Sequence, residues 1–136
     1  SMKFPYKKYG KETIRPVIPI TLVKHGRKIK YEVLVDSGAD FCLFHADIGE
    51  LLGLDVPKGK PKEVFGVGGK ASLYYVHKIT IEVGGWPYEI EAGFMPDVSG
   101  KLMSHGLVGQ KGFFEYFSVV FNHYKEQIEL KSVAKK

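Results

Sequence analysis

The chain has 136 residues, 44% apolar and 26% charged, the scale and balance of one soluble globular domain with a single core. No stretch approaches eighteen consecutive apolar residues and the N-terminus has no apolar signal core, so neither a membrane span nor a secretion signal is expected. The net charge of +5 sits at the ends, with +4 in residues 1–16, +3 in residues 131–136 and −2 between them, which argues against a basic binding face for nucleic acid.

Ser1-Met2 reads as a tag remnant, and residues 1–13 as a basic N-terminal extension of a single domain spanning 14–131. Residues 14–23 read as a strand, and His25-Gly26 turns it into a second strand at 27–35. The apolar run Val33-Leu34-Val35 then delivers Asp36 to the strand end. Asp36-Ser37-Gly38-Ala39-Asp40 makes a sharp turn, and Phe41-Cys42-Leu43-Phe44 leaves it as a short strand. Residues 46–53 read as a short helix ending at Gly53, and Pro57 to Pro61 as a loop. Strands at 62–66 and 70–83 are joined by Gly66-Val67-Gly68-Gly69. Gly84-Gly85 turns into a strand at 86–95, and a loop runs from Pro96 to Gly100. Leu107-Val108 is a short strand stopped by Gly109. Residues 110–117 read as helical, with Phe113, Phe114 and Phe117 on one side. Strands at 118–122 and 127–131 flank a turn at Asn122-His123, and 132–136 is a basic tail. The sum is a mostly β chain with one or two short helices, which points to a closed β-barrel.

The turn at residues 36–40 concentrates the chemistry. Asp-Ser-Gly turns are common between strands, because Asp and Ser bond nearby backbone and Gly accepts φ > 0. Here both flanks are apolar, so the turn is expected to be buried. A buried carboxylate with no cationic neighbour in sequence is costly and persists where chemistry needs it. Other constellations are poorer. Gly66-x-Gly68-x-x-Ala71 fits a dinucleotide fingerprint only in letters, since Leu73 to Ile81 is β-branched and aromatic where a helix is required. The histidines at 25, 45, 77, 105 and 123 lack metal-site spacing and read as turn or surface residues, so no metal and no cofactor are expected. The single Cys42 cannot form an internal disulfide and reads as core, and a reducing cytoplasm is the expected location. Trp86 reads as sheet packing.

Asp36-Ser37-Gly38-Ala39 followed at a distance by Gly66-Val67-Gly68-Gly69 and by Leu107-Val108-Gly109 resembles the retropepsins, the retroviral type of aspartic protease. The likeness runs from residue 14 to 131. It implies a closed β-barrel of the retropepsin type. It also implies an aspartic endopeptidase in which Asp36 is catalytic once per subunit of a homodimer, the two carboxylates activating a water against a peptide or protein substrate. Ser37, Gly38 and Ala39 would complete the active-site turn. Asp40 and the flap residues Gly66, Val67, Gly68 and Gly69 would bind substrate. Dimer contacts would come from the turn, the flap tips near Val67 and the C-terminal strand near Ile128 to Leu130. No nucleic acid and no membrane partner are implied.

Two positions depart from the family pattern. Ser37 stands where Thr is usual, keeping the hydroxyl but not the methyl. Gln110 stands where retroviral members carry Arg paired to the Asp corresponding to Asp40, so Asp40 is expected to have another partner or to face solvent and substrate. These departures define the alternative, a catalytically inactive peptide-binding or dimerisation module with the same fold.

Overall fold

The computed structural model describes residues 1–65, 71–96 and 105–133. In chain order the strands are β1 (Met2–Pro5), β2 (Lys7–Tyr9), β3 (Thr13–Arg15), β4 (Val17–Lys24), β5 (Arg27–Val35) and β6 (Cys42–His45). Helix α1 (Ala46–Leu51) and a 3₁₀ turn (Val56–Lys58) follow. The remaining strands are β7 (Lys60–Phe65), β8 (Ala71–Val83), β9 (Trp86–Met95), β10 (Gly106–Val108), β11 (Phe117–Asn122) and β12 (Gln127–Ser132).

Period-two alternation builds the barrel. Ile18, Ile20 and Leu22 of β4, Val33 and Val35 of β5, Ile79, Ile81 and Val83 of β8, and Ile90, Ala92 and Phe94 of β9 all point inward and are buried. The strands follow the order β4-β5-β10-β6-β9-β8, and β8 pairs back onto β4, so the ring closes; β7 extends from β8. Closure removes the open edges that an isolated sheet would present. This is the mostly β closed barrel expected.

Helix α1 begins where His45 caps it, its Nδ1 accepting the Asp47 N–H at 3.1 Å. The helix gives way at Gly53, whose φ of +83° suits glycine. His45 is buried rather than superficial: its Nδ1 serves this cap, and its buried Nε2 has no hydrogen-bond partner among the described residues. Trp86 is the opposite case. It opens β9 beside the Gly84-Gly85 turn and is 69% exposed.

Two further expectations are corrected. Residues 110–116 form a chain of turns and no α-helix, and Phe117 already opens β11. Gly112 sits at φ +97°, which a right-handed helix forbids, and its N–H is held by the Glu115 carboxylate at 2.7 Å. Phe113 and Phe117 still reach the core. The second correction concerns the ends. Met2–Pro5 pairs with β12, and β12 pairs on its other side with β11, giving a separate three-stranded sheet. Ile128 and Leu130 are fully buried inside the single chain, and both edges of β12 are occupied by the chain itself. β12 therefore offers no free edge of its own to a second chain. Basic residues at 3, 7, 8 and 11 hid β1 and β2, although Phe4 and Tyr6 beside them pack against the core.

Candidate active site

Strand β10 is inserted between β5 and β6, the two strands that flank the Asp36 turn. It runs parallel to β5, with Leu107 opposite Leu34, and antiparallel to β6, with Leu107 opposite Leu43. The Asp36 N–H continues the β5–β10 ladder onto the Val108 carbonyl at 3.0 Å. Asp36 thus stands at the end of a central strand, anchored on a rigid support.

The turn itself is closely tied. The Gly38 N–H donates to Asp36 Oδ1 at 2.9 Å, and the Ala39 N–H donates to the Asp36 carbonyl at 3.1 Å. From below, the Gln110 N–H reaches the Ala39 carbonyl at 2.9 Å and the Lys111 N–H reaches the Asp40 carbonyl at 3.0 Å. Gln110 Nε2 donates to the Ser37 carbonyl at 3.1 Å. Gly109 makes this approach possible: a Cβ there would lie 2.5 Å from the Ala39 carbonyl oxygen and 2.6 Å from that of Phe41.

The apolar flanks bury the supporting strands but not the turn. Ser37, Gly38 and Asp40 are exposed, and Asp36 and Ala39 are half-buried. Burial of the turn, expected from its flanks, is therefore not met within one chain, because the turn projects beyond the barrel end. Among the described residues Asp40 has no ion pair and faces solvent. Beside it, burial raises the Tyr74 hydroxyl above its ordinary pKa, and the charge of Asp40 adds to that shift. Tyr74 stacks on Phe41 with ring centres 4.8 Å apart. Gly66, Val67, Gly68 and Gly69 lie outside the described residues.

The family model described as aspartyl protease matches residues 19–111, more than half of the chain. The chain belongs to the aspartyl protease family. It is similar in fold to a retropepsin-like aspartic protease from Rickettsia conorii, at 16% identity and a TM-score of 0.65, over 95% of this chain and 89% of that one. It is also similar to the retroviral protease-like domain of Ddi1 from Leishmania major, at 14% identity and a TM-score of 0.59, over 88% of this chain and 90% of that one. No curated protein sequence matches it.

In this member of the aspartyl protease family the structure gives further residues a place beside Asp36 that the sequence did not assign to them. Leu34 lies two residues before Asp36 and therefore on the same face of β5. Leu107 and Leu43 stand beside it across the ladder. Leu34 and Leu107 are only half-buried in the middle of a sheet whose other face is core, so they form an apolar floor next to the carboxylate. A second addition is the side chain of Gln110, a donor to the turn. Neighbouring-strand register was the missing signal, since nothing in the sequence places residue 107 between residues 34 and 43.

Cys42 is fully buried behind the turn, and burial pushes its thiol pKa up to about 12. It is core, as expected. A groove of about 640 Å³ lies elsewhere, between the β4–β5 tip and the turns at 111–116. It is lined by lysines 24, 78 and 111 against glutamates 89, 91 and 115, and contains none of residues 36–40. Its mixed charge selects no ligand, and it is not the candidate site. No cluster of metal-ligating side chains occurs among the described residues.

Proposed function

We propose that the chain is an aspartic endopeptidase that works as a two-fold symmetric homodimer, with one Asp36 from each subunit. The observation that supports this most is a carboxylate held firmly at the end of a central strand on a turn left open to solvent. Oδ1 is fixed by the Gly38 N–H, and among the described residues Oδ2 has no hydrogen-bond partner. A polar turn so well anchored and exposed is suited to meet its copy.

Two carboxylates brought together on a symmetry axis do not both ionise readily, so the pair shares one proton, as in aspartic proteases generally. The ionised member takes a proton from a water lying between them as that water attacks the peptide carbonyl. The protonated member donates a hydrogen bond to the carbonyl oxygen as charge develops there. The pair titrates as a unit. An extended peptide would lie along the apolar floor of Leu34, Leu43 and Leu107, which favours apolar side chains next to the cleaved bond. Residues 66–69, rich in glycine, would cover it from above and bond its backbone. Asp40, unpaired and exposed, is placed to accept a substrate N–H.

An unbiased peptide library digested between pH 4 and pH 7 tests this reading, with Asp36→Asn as control. Cleavage by the wild-type chain and none by the folded variant is the expected result. Equal cleavage by both would remove the aspartic mechanism. Sedimentation should give about twice the 15.3 kDa chain mass at micromolar protein. Cleavage by a strict monomer would remove the shared site.

A second reading, a non-catalytic peptide-binding or dimerisation module, draws on the departures at Ser37 and Gln110 from the family pattern. Tight binding of a transition-state mimic to the dimer would decide against it.

A further inference from the structure

We propose that Gln110 is the positioning residue of the active-site turn, a neutral clamp that orients the Asp36 carboxylate through a single peptide plane. The inference rests on the reading of Asp36 as the reacting group.

The route is short. Gln110 Nε2 donates to the Ser37 carbonyl at 3.1 Å. That carbonyl and the Gly38 N–H belong to the same peptide unit, which is planar and rigid. The Gly38 N–H in turn donates to Asp36 Oδ1 at 2.9 Å. Holding the oxygen end of this plane therefore aims its hydrogen end at the carboxylate. Hydrogen bonds in such a chain also polarise one another, so the Gly38 N–H becomes a better donor when the Ser37 carbonyl is engaged. The other links beneath the turn, from the Gln110 and Lys111 N–H groups to the Ala39 and Asp40 carbonyls, are made by backbone. The Gln110 side chain is the one element of the clamp that substitution removes without moving the main chain.

The clamp is also insensitive to acid. An amide donor and a carbonyl acceptor do not titrate in the range where a carboxylate pair works. A carboxylic side chain at the same place could donate only while protonated, and would be lost as pH rises through the carboxyl range. Gln110 leaves Asp40 free of any tether while keeping the turn in shape at both ends of that range.

The test uses Gln110→Met, which keeps the length and removes the donor, and Gln110→Glu, which makes the clamp titrate. Below its ordinary pKa of about 4.3 a Glu side chain carries an O–H that can donate to the Ser37 carbonyl; above it, an oxygen anion faces the carbonyl oxygen. Gln110→Met should lower kcat about two- to tenfold at every pH, the range of one neutral hydrogen bond, with KM little changed. Gln110→Glu should match wild type below about pH 4 and fall to the Met level or lower above about pH 5.5. A Glu variant that tracks the Met variant at all pH values, or variants that both track wild type, would overturn the proposal.

The Ser37 carbonyl carbon-13 shift gives a reading free of activity, measured in the Asp36→Asn background to remove the neighbouring titration. It should move with pH in the Gln110→Glu chain and stay flat with Gln110. A flat shift in both chains overturns the clamp even if peptides are cleaved. A titrating shift in a chain that cleaves nothing supports the clamp while the peptidase reading fails.

Discussion

Gly109→Ala is the sharpest stability probe of the site, because the added methyl meets main chain rather than side chains. Its Cβ would lie 2.5 Å and 2.6 Å from the carbonyl oxygens of Ala39 and Phe41 and 2.9 Å from the Ala39 carbonyl carbon. Backbone on both sides must separate by roughly 0.7 Å to relieve this, which carries the 2.9 Å and 3.0 Å bonds from Gln110 and Lys111 beyond hydrogen-bond range. Losing each bond costs about 0.5–1.5 kcal/mol, and overpacking adds about 1–3 kcal/mol. The expected loss is therefore about 2–6 kcal/mol. Gly93→Ala is the internal comparison. There a Cβ would lie 2.5 Å from Tyr74 Cδ2 and 3.1 Å from Leu43 Cδ1, both side-chain atoms that can tilt, and no backbone bond is at stake. Its cost should be the overpacking alone, about 1–3 kcal/mol. Urea unfolding measures both, and with a slope of about 2 kcal/mol per molar the Gly109→Ala midpoint should fall by about 1–3 M. A Gly109→Ala chain within about 1 kcal/mol of wild type, or less affected than Gly93→Ala, would refute the close packing of residue 109 under the turn.

Three other outcomes are expected. In the proposed dimer the Ser37 hydroxyl bonds across the axis, so Ser37→Ala should raise the dimer dissociation constant about tenfold or more while Ser37→Thr stays close to wild type; sedimentation equilibrium that places Ala level with Ser would put the turn off the axis. Cys42, with its thiol pushed up to about 12 from 9.0 and fully buried, should resist thiol reagents at pH 8 in the native state and react at once in denaturant; rapid native labelling would contradict its burial. Deleting residues 1–5 removes β1 and uncovers one edge of β12, which should cost about 2–4 kcal/mol from the lost Phe4 packing and ladder bonds and should promote self-association; unchanged urea stability would show that β1 does not hold the terminal sheet.

The fold was legible where local pattern and tertiary context agree. Alternation in β4, β5, β8 and β9 gave strands because each of them lies with one face on the core. The Asp36 turn stood out because an apolar strand ended in a carboxylate and restarted after two small residues. Legibility failed where long-range pairing decides. Phe113, Phe114 and Phe117 have helical spacing, but Gly112 breaks the helix with a positive φ that spacing does not reveal. Met2–Pro5 is a strand because β12 has an edge to fill, although its own residues read as a charged tail. Apolar flanks suggested a buried turn, whereas strand burial stops one residue before it. Leu34, Leu43 and Leu107 became a candidate floor only through the register of β10 between β5 and β6.

The terminal sheet and the turn together shape what association would require of the proposed dimer. Both edges of β12 are filled within one chain, so strand pairing between two copies at the terminal sheet would use the outer edge of β1 or β11. At the centre of the proposed contact stands the Asp36 turn, a small and polar surface. Such a contact is sustained only if little has to be ordered at the moment of docking, because each immobilised side chain or loop costs about 0.5–1.5 kcal/mol of the gain. The bonds from Val108, Gln110 and Lys111 meet that condition, since they fix the backbone of residues 36–40 in the isolated chain. The same bonds that aim Asp36 therefore also lower the entropy lost when its partner arrives. Positioning for chemistry and readiness for association have one structural cause here, the insertion of β10 and its trailing residues beneath the turn.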